Sequence, residues 1–425
     1  MPPRVRPGLG IVVAMQGLVL LDDGRGSFGP MVDLRATFDL RSGWLTTAER
    51  IAAASRLEPL GAIVPASLAE VVAESRPGLA VNRLPEGDGP WLVVNGRFLQ
   101  PPAGVGLEPG TAEIDPADGS IRRAVLDAAA LTAVIEGGEP PESVRRVERA
   151  DPPLAAAPWD VFSTAGSRLA SDLALAVEAG LLAEDAWMRL HGGTVVGDHP
   201  VRIHRTAIID PGVVLDAREG PVVVGERAHL GVHAVLHGPV AIMNGTRVAD
   251  HATLKANTVI GPWCRVGGEV GATVFQGFSN KSHDGHLGDS WVGSWVNLGA
   301  ATVNSNLLNT YGEVVMRLDV DGPRLRSGRQ FLGCVLGDHV KTAIGTRIMT
   351  GTSIGTGAMI ATSTPPPTVV ERFAWLTDGG GRRYRMEKFL DTARQVMARR
   401  EQELGPAVET RLRALHAAGE PESGA

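Results

Sequence analysis

Lys281, His283, His286, Asn297, Asn304 and Asn306 crowd into one stretch, GFSNKSHDGHLGDSWVGSWVNLGAATVNSNLLNTYG, residues 277–312. Imidazoles exchange protons near neutral pH. Side-chain amides hold polar groups, and an ammonium attracts phosphate. The stretch can therefore combine proton transfer with the binding of a polar or anionic small molecule. Arg247 and Arg265 lie 18 residues apart upstream, and His229 lies another 18 before Arg247. Paired guanidiniums suit a phosphate, and they would equally make a solvated ladder. His233 and His251 share the same spacing. A catalytic zinc needs about three protein ligands and an open position, and no metal site is expected here.

The spacing matters because of what carries it. An aliphatic residue falls on every sixth position at Val224, Leu230, Leu236, Ile242, Val248, Leu254, Ile260 and Val266. Period six belongs to neither a helix nor a plain strand. It marks a left-handed parallel β-helix of hexapeptide repeats, three rungs to a turn. Residues 18 apart then stack. The register breaks at 271–286 and again at 304–335, and extruded loops at such breaks tend to carry binding residues. Rungs return at Leu336, Ile348, Ile354 and Ile360, with Thr342 as an imperfect member. Pro365-Pro366-Pro367 is expected to stop the coil.

Three units are expected: an α/β domain over 11–190, the β-helix over 194–364 and a tail over 365–425 with an amphipathic helix at Tyr384–Ala418. Within the first unit, Gly17–Leu21, Ala62–Val64 and Trp91–Val94 read as strands. Thr46–Leu57 reads as a helix capped by Thr46, and Trp159–Leu190 as helical. Stretches 85–90, 100–120 and 137–158 read as loops. Residues 1–10 read as a loose extension. The net charge of −6 argues against a nucleic-acid binder. No run of 18 apolar residues exists, so no membrane span is expected, and the default compartment is the cytoplasm. Cys264 and Cys334 suggest no disulfide framework.

The segment HDGHLGDSWVGSWVNLGAATVNSN resembles the acetyltransferase half of the bifunctional bacterial UDP-N-acetylglucosamine pyrophosphorylase/glucosamine-1-phosphate N-acetyltransferase family. Its elements are His283, Leu287-Gly288-Asp289, Asn297-Leu298-Gly299-Ala300 and Asn306. A variant branch of that family matches more closely, through Ser279–Gly288, Trp295–Gly312, Gly337–Thr342 and Phe373–Arg400. LLDDGRGSFGPMVDLRATFDLRSGWLT and LVVNGRFL near the N-terminus resemble its opening pattern. The resemblance implies acetyl transfer from acetyl-CoA to an amino sugar phosphate such as glucosamine-1-phosphate, in a homotrimer. It makes His283 the general base, with a bland loop histidine as the alternative. It places Asn297 and Asn306 against amino sugar and thioester; either could instead be a coil-turn asparagine. The Ala300 N–H would face the thioester oxygen. His286 stands where the family has tyrosine, a departure on the sugar side. Lys281, Arg247 and Arg265 are the candidates for the sugar phosphate, and Lys341 with Thr342 for coenzyme A.

For residues 11–190 the resemblance implies a nucleotidyltransferase-like, Rossmann-like fold making a UDP- or dTDP-sugar. Asp23, Arg25, Arg35 and Asn95 are the candidate nucleotide ligands, and Mg²⁺ would be needed only if that domain is active. Asn95 replaces the expected aspartate and is a weaker magnesium ligand. Nucleotidyl transfer alone, or a non-catalytic trimeric scaffold, are the alternatives.

Overall fold

The computed structural model describes residues 15–104, 106–180 and 193–419. The expected extension at 1–10 and the end of the expected helix, 181–190, lie outside them. Seven strands form the first sheet: β1 (Gly17–Leu21), β2 (Pro59–Ile63), β3 (Ala80–Val81), β4 (Trp91–Asn95), β5 (Thr111–Ile114), β6 (Ile121–Leu126) and β7 (Arg145–Glu148), in the order 3-2-1-4-6-5-7. β2, β1 and β4 run parallel, while β6 is antiparallel to β4 and β5. Helices α1 (Thr47–Ser55), α2 (Ala69–Ser75) and α3 (Ala128–Gly137) accompany the sheet, followed by α4 (Pro158–Phe162) and α5 (Ala165–Glu178). Thr46 caps α1 in a full capping box with Glu49. Two expectations are corrected. β5 and β7 lie in stretches expected as loops, because strands this short leave little periodicity among Pro and Gly. The expected helix from Trp159 is broken between Phe162 and Ala165.

Beyond Thr194 the chain winds as a parallel β-helix with three faces. The docking face stacks nine strands from Val201–Ile203 to Val369–Val370. The arginine face runs from Ile208–Ile209 through Arg247–Val248, Arg265–Val266 and Asn280–Lys281. The histidine face runs from Thr194–Val196 through Glu269–Gly271 to His286–Gly288. Every hexad residue from Val224 to Val266 lies in one buried core with Ile348, Ile354 and Ile360. The three prolines do not stop the coil. Val369–Val370 and Ala374–Thr377 still pair in parallel with the strands one turn below, because Pro365–Pro367 occupy a connection where no ladder N–H is needed.

The docking face has a second apolar row pointing outward: Val223, Ala241, Val259, Val274, Trp291 and Val335. It packs against Phe28, Met31, Trp44, Trp159, Phe162 and Leu169 of the first domain. A buried ion pair, Arg35–Asp338 at 2.7 Å, crosses this boundary. Gln276 reinforces it, accepting from the Arg41 N–H and donating to the Asp39 carbonyl. The tail forms two helices, α6 (Met386–Ala398) and α7 (Pro406–Ala417), rather than one. Gly405-Pro406 starts the second, and Glu74 of α2 accepts from its first N–H groups at Ala407 and Val408.

Candidate functional site

The register brings the candidates to two sides of one corner. On the arginine face Arg247, Arg265, Asn280, Asn297 and Lys341 occupy successive rungs, about 4.8 Å apart. His229 pairs below Arg247, but its ring is held by Asp210 at 2.8 Å. Asn280 and Asn297 touch through their amides at 3.4 Å. A residue that sequence reasoning missed joins them: Arg400, just after α6, donates to Asn280 Oδ1 at 2.9 Å. Burial, then the charges of Arg265 and Arg399, lower its pKa, as crowding of like charges must. The apolar spacing of Met386, Phe389, Leu390 and Ala393 was the available signal, since those residues lay the helix down and its end delivers Arg400. Burial pushes the Lys341 ammonium down to about 8.

On the histidine face Glu269 and His286 sit side by side. His286 Nδ1 lies 3.2 Å from Glu269 Oε1. Lys255 pairs with the same carboxylate and, as the largest influence, holds it below its ordinary pKa. Asn306 donates to Asp289 at 2.6 Å. Burial raises the Asp289 carboxyl.

Between the two faces lies the corner at 282–285, with the corner at 299–302 one coil above it; the Ala301 N–H donates to the Asp284 carbonyl at 3.1 Å. His283 is exposed, and its ring has no partner among the described residues. Ala300 is half-buried, and its N–H has no partner among the described residues either. The equivalent N–H lower in the coil, that of Val232, is taken by the Asp250 carboxylate one turn above at 3.0 Å. Above Ala300 the matching residue is Ile344, which has no acceptor to offer and is exposed. The corner therefore offers a free backbone donor.

Two candidates on this side have other work. Lys281 does not reach outward to a substrate. It occupies an inward rung above Val266, 2% exposed, and its ammonium donates to the carbonyls of Gly267 at 3.0 Å and His283 at 2.7 Å. Burial pushes it down to about 8. It pins the corner that carries His283. Thr342 is likewise buried in the coil, bonded to the Gly299 N–H and the Thr302 hydroxyl, so it supports the Ala300 corner from inside rather than facing a cofactor.

In the first domain a cavity of about 500 Å³ lies at the carboxyl ends of β1 and β2, lined by Asp22, Asp23, Arg25, Pro65 and Ser120. This is where open α/β sheets bind ligands. Asp23 and Asn95 meet there at 2.8 Å. Arg25 reaches the Asp118 carbonyl. Arg35 is absent from the cavity: the loop after β1 carries it to the docking face, where Asp338 holds it. Arg97, 2% exposed, takes both oxygens of Asp23 at 3.0 and 2.8 Å and also Asp118 at 2.9 Å. Burial would raise Asp23, but the bonds and charge of Arg97 outweigh it and hold the carboxyl low. These donors do not fit Mg²⁺, because a guanidinium already fills the cationic place between the carboxylates. Among the described residues no three His, Cys, Asp or Glu side chains gather as a metal site, and no helix is long and apolar enough to cross a membrane.

Residues 18–179 match the family model described as sugar nucleotidyl transferase. The bifunctional protein GlmU of a Nostoc species is 27% identical over 188 residues, covering 39% of this chain and 41% of that protein. The bifunctional sugar-1-phosphate nucleotidylyltransferase/acetyltransferase of Sulfurisphaera tokodaii is 33% identical over 156 residues, covering 36% and 37%. The solved UDP-N-acetylglucosamine acyltransferase of Francisella novicida covers 50% of this chain and 73% of its own at 15% identity, with a TM-score of 0.29. That structural likeness is loose, and the fold rests on the strand register above. The chain is similar to these bifunctional proteins over part of its length, and its matches span about two fifths of the length of these curated relatives.

Proposed function

We propose that the coil transfers an acetyl group from acetyl-CoA to the amine of an amino sugar phosphate. One observation carries the reading: the unpartnered Ala300 N–H stands one coil above a corner with a histidine on it and another just beyond it. A free donor of this kind stabilises the oxygen of a thioester under attack, and an imidazole takes the amine's proton. The phosphate is held on the arginine face by Arg247, Arg265 and Arg400, with Asn280 and Asn297 above, and Lys341 serves the coenzyme A side. The protein works in the cytoplasm as a homotrimer. Incubating it with acetyl-CoA and glucosamine-1-phosphate while following free thiol tests this. Thiol release should exceed that of a His283→Ala/His286→Ala double variant, and equal rates would refute acyl transfer.

A second reading is favoured by the family match over residues 18–179: the first domain also joins a nucleotide to a sugar-1-phosphate, using the cavity beside Asp23 and Arg25. Pyrophosphate release from UTP or dTTP with a sugar-1-phosphate tests it. Release that is absent with and without Mg²⁺ would confine the chemistry to the coil.

A further inference from the structure

Resting on the acyl-transfer reading, we infer that His286, held by Glu269, is the group that takes the proton from the acceptor amine. A general base needs a ring nitrogen fixed as an acceptor, and a carboxylate on the opposite nitrogen fixes it. His286 meets that condition: Nδ1 faces Glu269 Oε1 at 3.2 Å, and Lys255 steadies the carboxylate. Assigned this way, Nδ1 carries the hydrogen and Nε2 is the acceptor.

Where Nε2 points is set by Gly288. A Cβ there would stand 2.7 Å from His286 Nε2 and 2.8 Å from Asn306 Nδ2. Glycine is therefore what lets the ring lie over the strand, and the two nitrogens converge above residue 288. The Asn306 amide is oriented by Asp289 at 2.6 Å. His283, three residues earlier, is exposed and has no group among the described residues to fix its tautomer. It is left to contact the substrate from the corner.

The acceptor enters as its neutral amine. As its nitrogen bonds to the thioester carbonyl carbon, one proton passes from that nitrogen to His286 Nε2. The carbon–sulfur bond breaks, and the same proton ends on the sulfur, so an amine and a thioester become an amide and a free thiol.

The test compares His286→Ala, His283→Ala and Glu269→Gln with acetyl-CoA and glucosamine-1-phosphate as probes. His286→Ala should lose at least about 100-fold in kcat and recover part of it on addition of free imidazole. His283→Ala should lose less and gain nothing from imidazole. Glu269→Gln should lower kcat with little change in KM. A second readout uses the unliganded protein: hydrogen exchange at each imidazole Cε1, followed by mass spectrometry. Glu269→Gln should change the rate at His286 by at least about twofold and leave His283 unchanged. A larger, imidazole-rescued loss in His283→Ala overturns the inference, as does unchanged exchange at His286. A wild-type protein that releases no thiol defeats the acyl-transfer reading and the proton role with it, while the exchange result still decides whether Glu269 holds His286.

Discussion

Replacing Arg35 by methionine should loosen the whole molecule, because Arg35 pairs with the buried Asp338. The Asp338 side chain is 1% exposed and that of Arg35 12%. Asp338 Oδ1 takes Arg35 at 2.7 Å and the Ser294 N–H at 2.6 Å, and Oδ2 has no partner. Removing one member of such a pair typically costs about 3–5 kcal/mol, since it strands a buried charge. Methionine keeps much of the packing over Trp291, where the guanidinium stands 5.7 Å from the ring, so most of the loss is electrostatic. Its pH dependence has a definite sign. Burial raises the Asp338 carboxyl above its ordinary value even with Arg35 opposing it, and without Arg35 it rises further. A carboxyl raised in the folded state holds protons that the unfolded chain has released, so stability falls as pH rises. The defect of Arg35→Met should thus be smaller at pH 5 than at pH 8. Asp338→Asn in the same chain should recover part of it, because the stranded charge is gone. Thermal melting of the single and double variants at both pH values is the assay. At roughly 2 °C per kcal/mol for chains above 200 residues, the drop at pH 8 should be several degrees. A melting point within 1 °C of wild type at pH 8, or a double variant no more stable than Arg35→Met, would refute the reasoning.

Lys281→Met should likewise fall further behind the wild type as pH rises, here because the wild type gains. Its folded pKa of about 8 lies below the ordinary 10.5, so the native protein gains stability relative to the variant as pH rises from 8 to 10.5, by about 2–3 kcal/mol after allowance for screening; a melting difference that stays flat between pH 7 and pH 10 counts against it. Arg400→Ala should raise KM for the amino sugar phosphate about tenfold, the equivalent of one lost charge-assisted hydrogen bond, with a smaller effect on kcat. An unchanged KM would remove the tail from the acceptor site. Gly166 of α5 lies so close to the coil that a Cβ would stand 1.9 Å from Asn257 Oδ1. Gly166→Ala should therefore cost about 1–3 kcal/mol, and a wild-type melting curve would show that the contact yields freely.

The coil was legible because its period is enforced by packing: one inward side chain per rung leaves the core no other pattern. That pattern also placed Arg247 on Arg265 correctly. It lost phase at Lys281, which stands on an inward rung just after a register break; Thr342 does fall on the count of six, and its coenzyme A role rested on the resemblance alone. The docking face had a signal that the inward hexads mask. Val223, Ala241 and Val259 are themselves 18 apart and apolar, and an outward row of that kind implies something packed on it. Arg35 could not be read this way, because nothing local distinguishes an arginine that binds a ligand from one that meets a partner 303 residues away in the chain. Arg97 was missed for a similar reason: its carboxylate partners, Asp23 and Asp118, come from different strand ends.

The three faces explain why chemistry belongs at one corner. Along a coil strand the N–H groups are consumed by the ladder, so a backbone donor for a developing charge is available only at a turn. Some turns close this off too, as Asp250 does for Val232 and Asp338 for Ser294. The turn at Ala300 stays open because Ile344 replaces that aspartate. The first domain covers the docking face, so the open donor must be served from the other two faces. These differ in the way a transfer reaction needs: one carries cations and amides in a continuous row, the other a carboxylate-held imidazole. Lys281 ties the strand of the first face to the corner leading to the second, through the His283 carbonyl. The break in the hexad rhythm tightens the coil there, so that Asn280 stacks on Arg265 after 15 residues and His286 on Glu269 after 17 rather than 18.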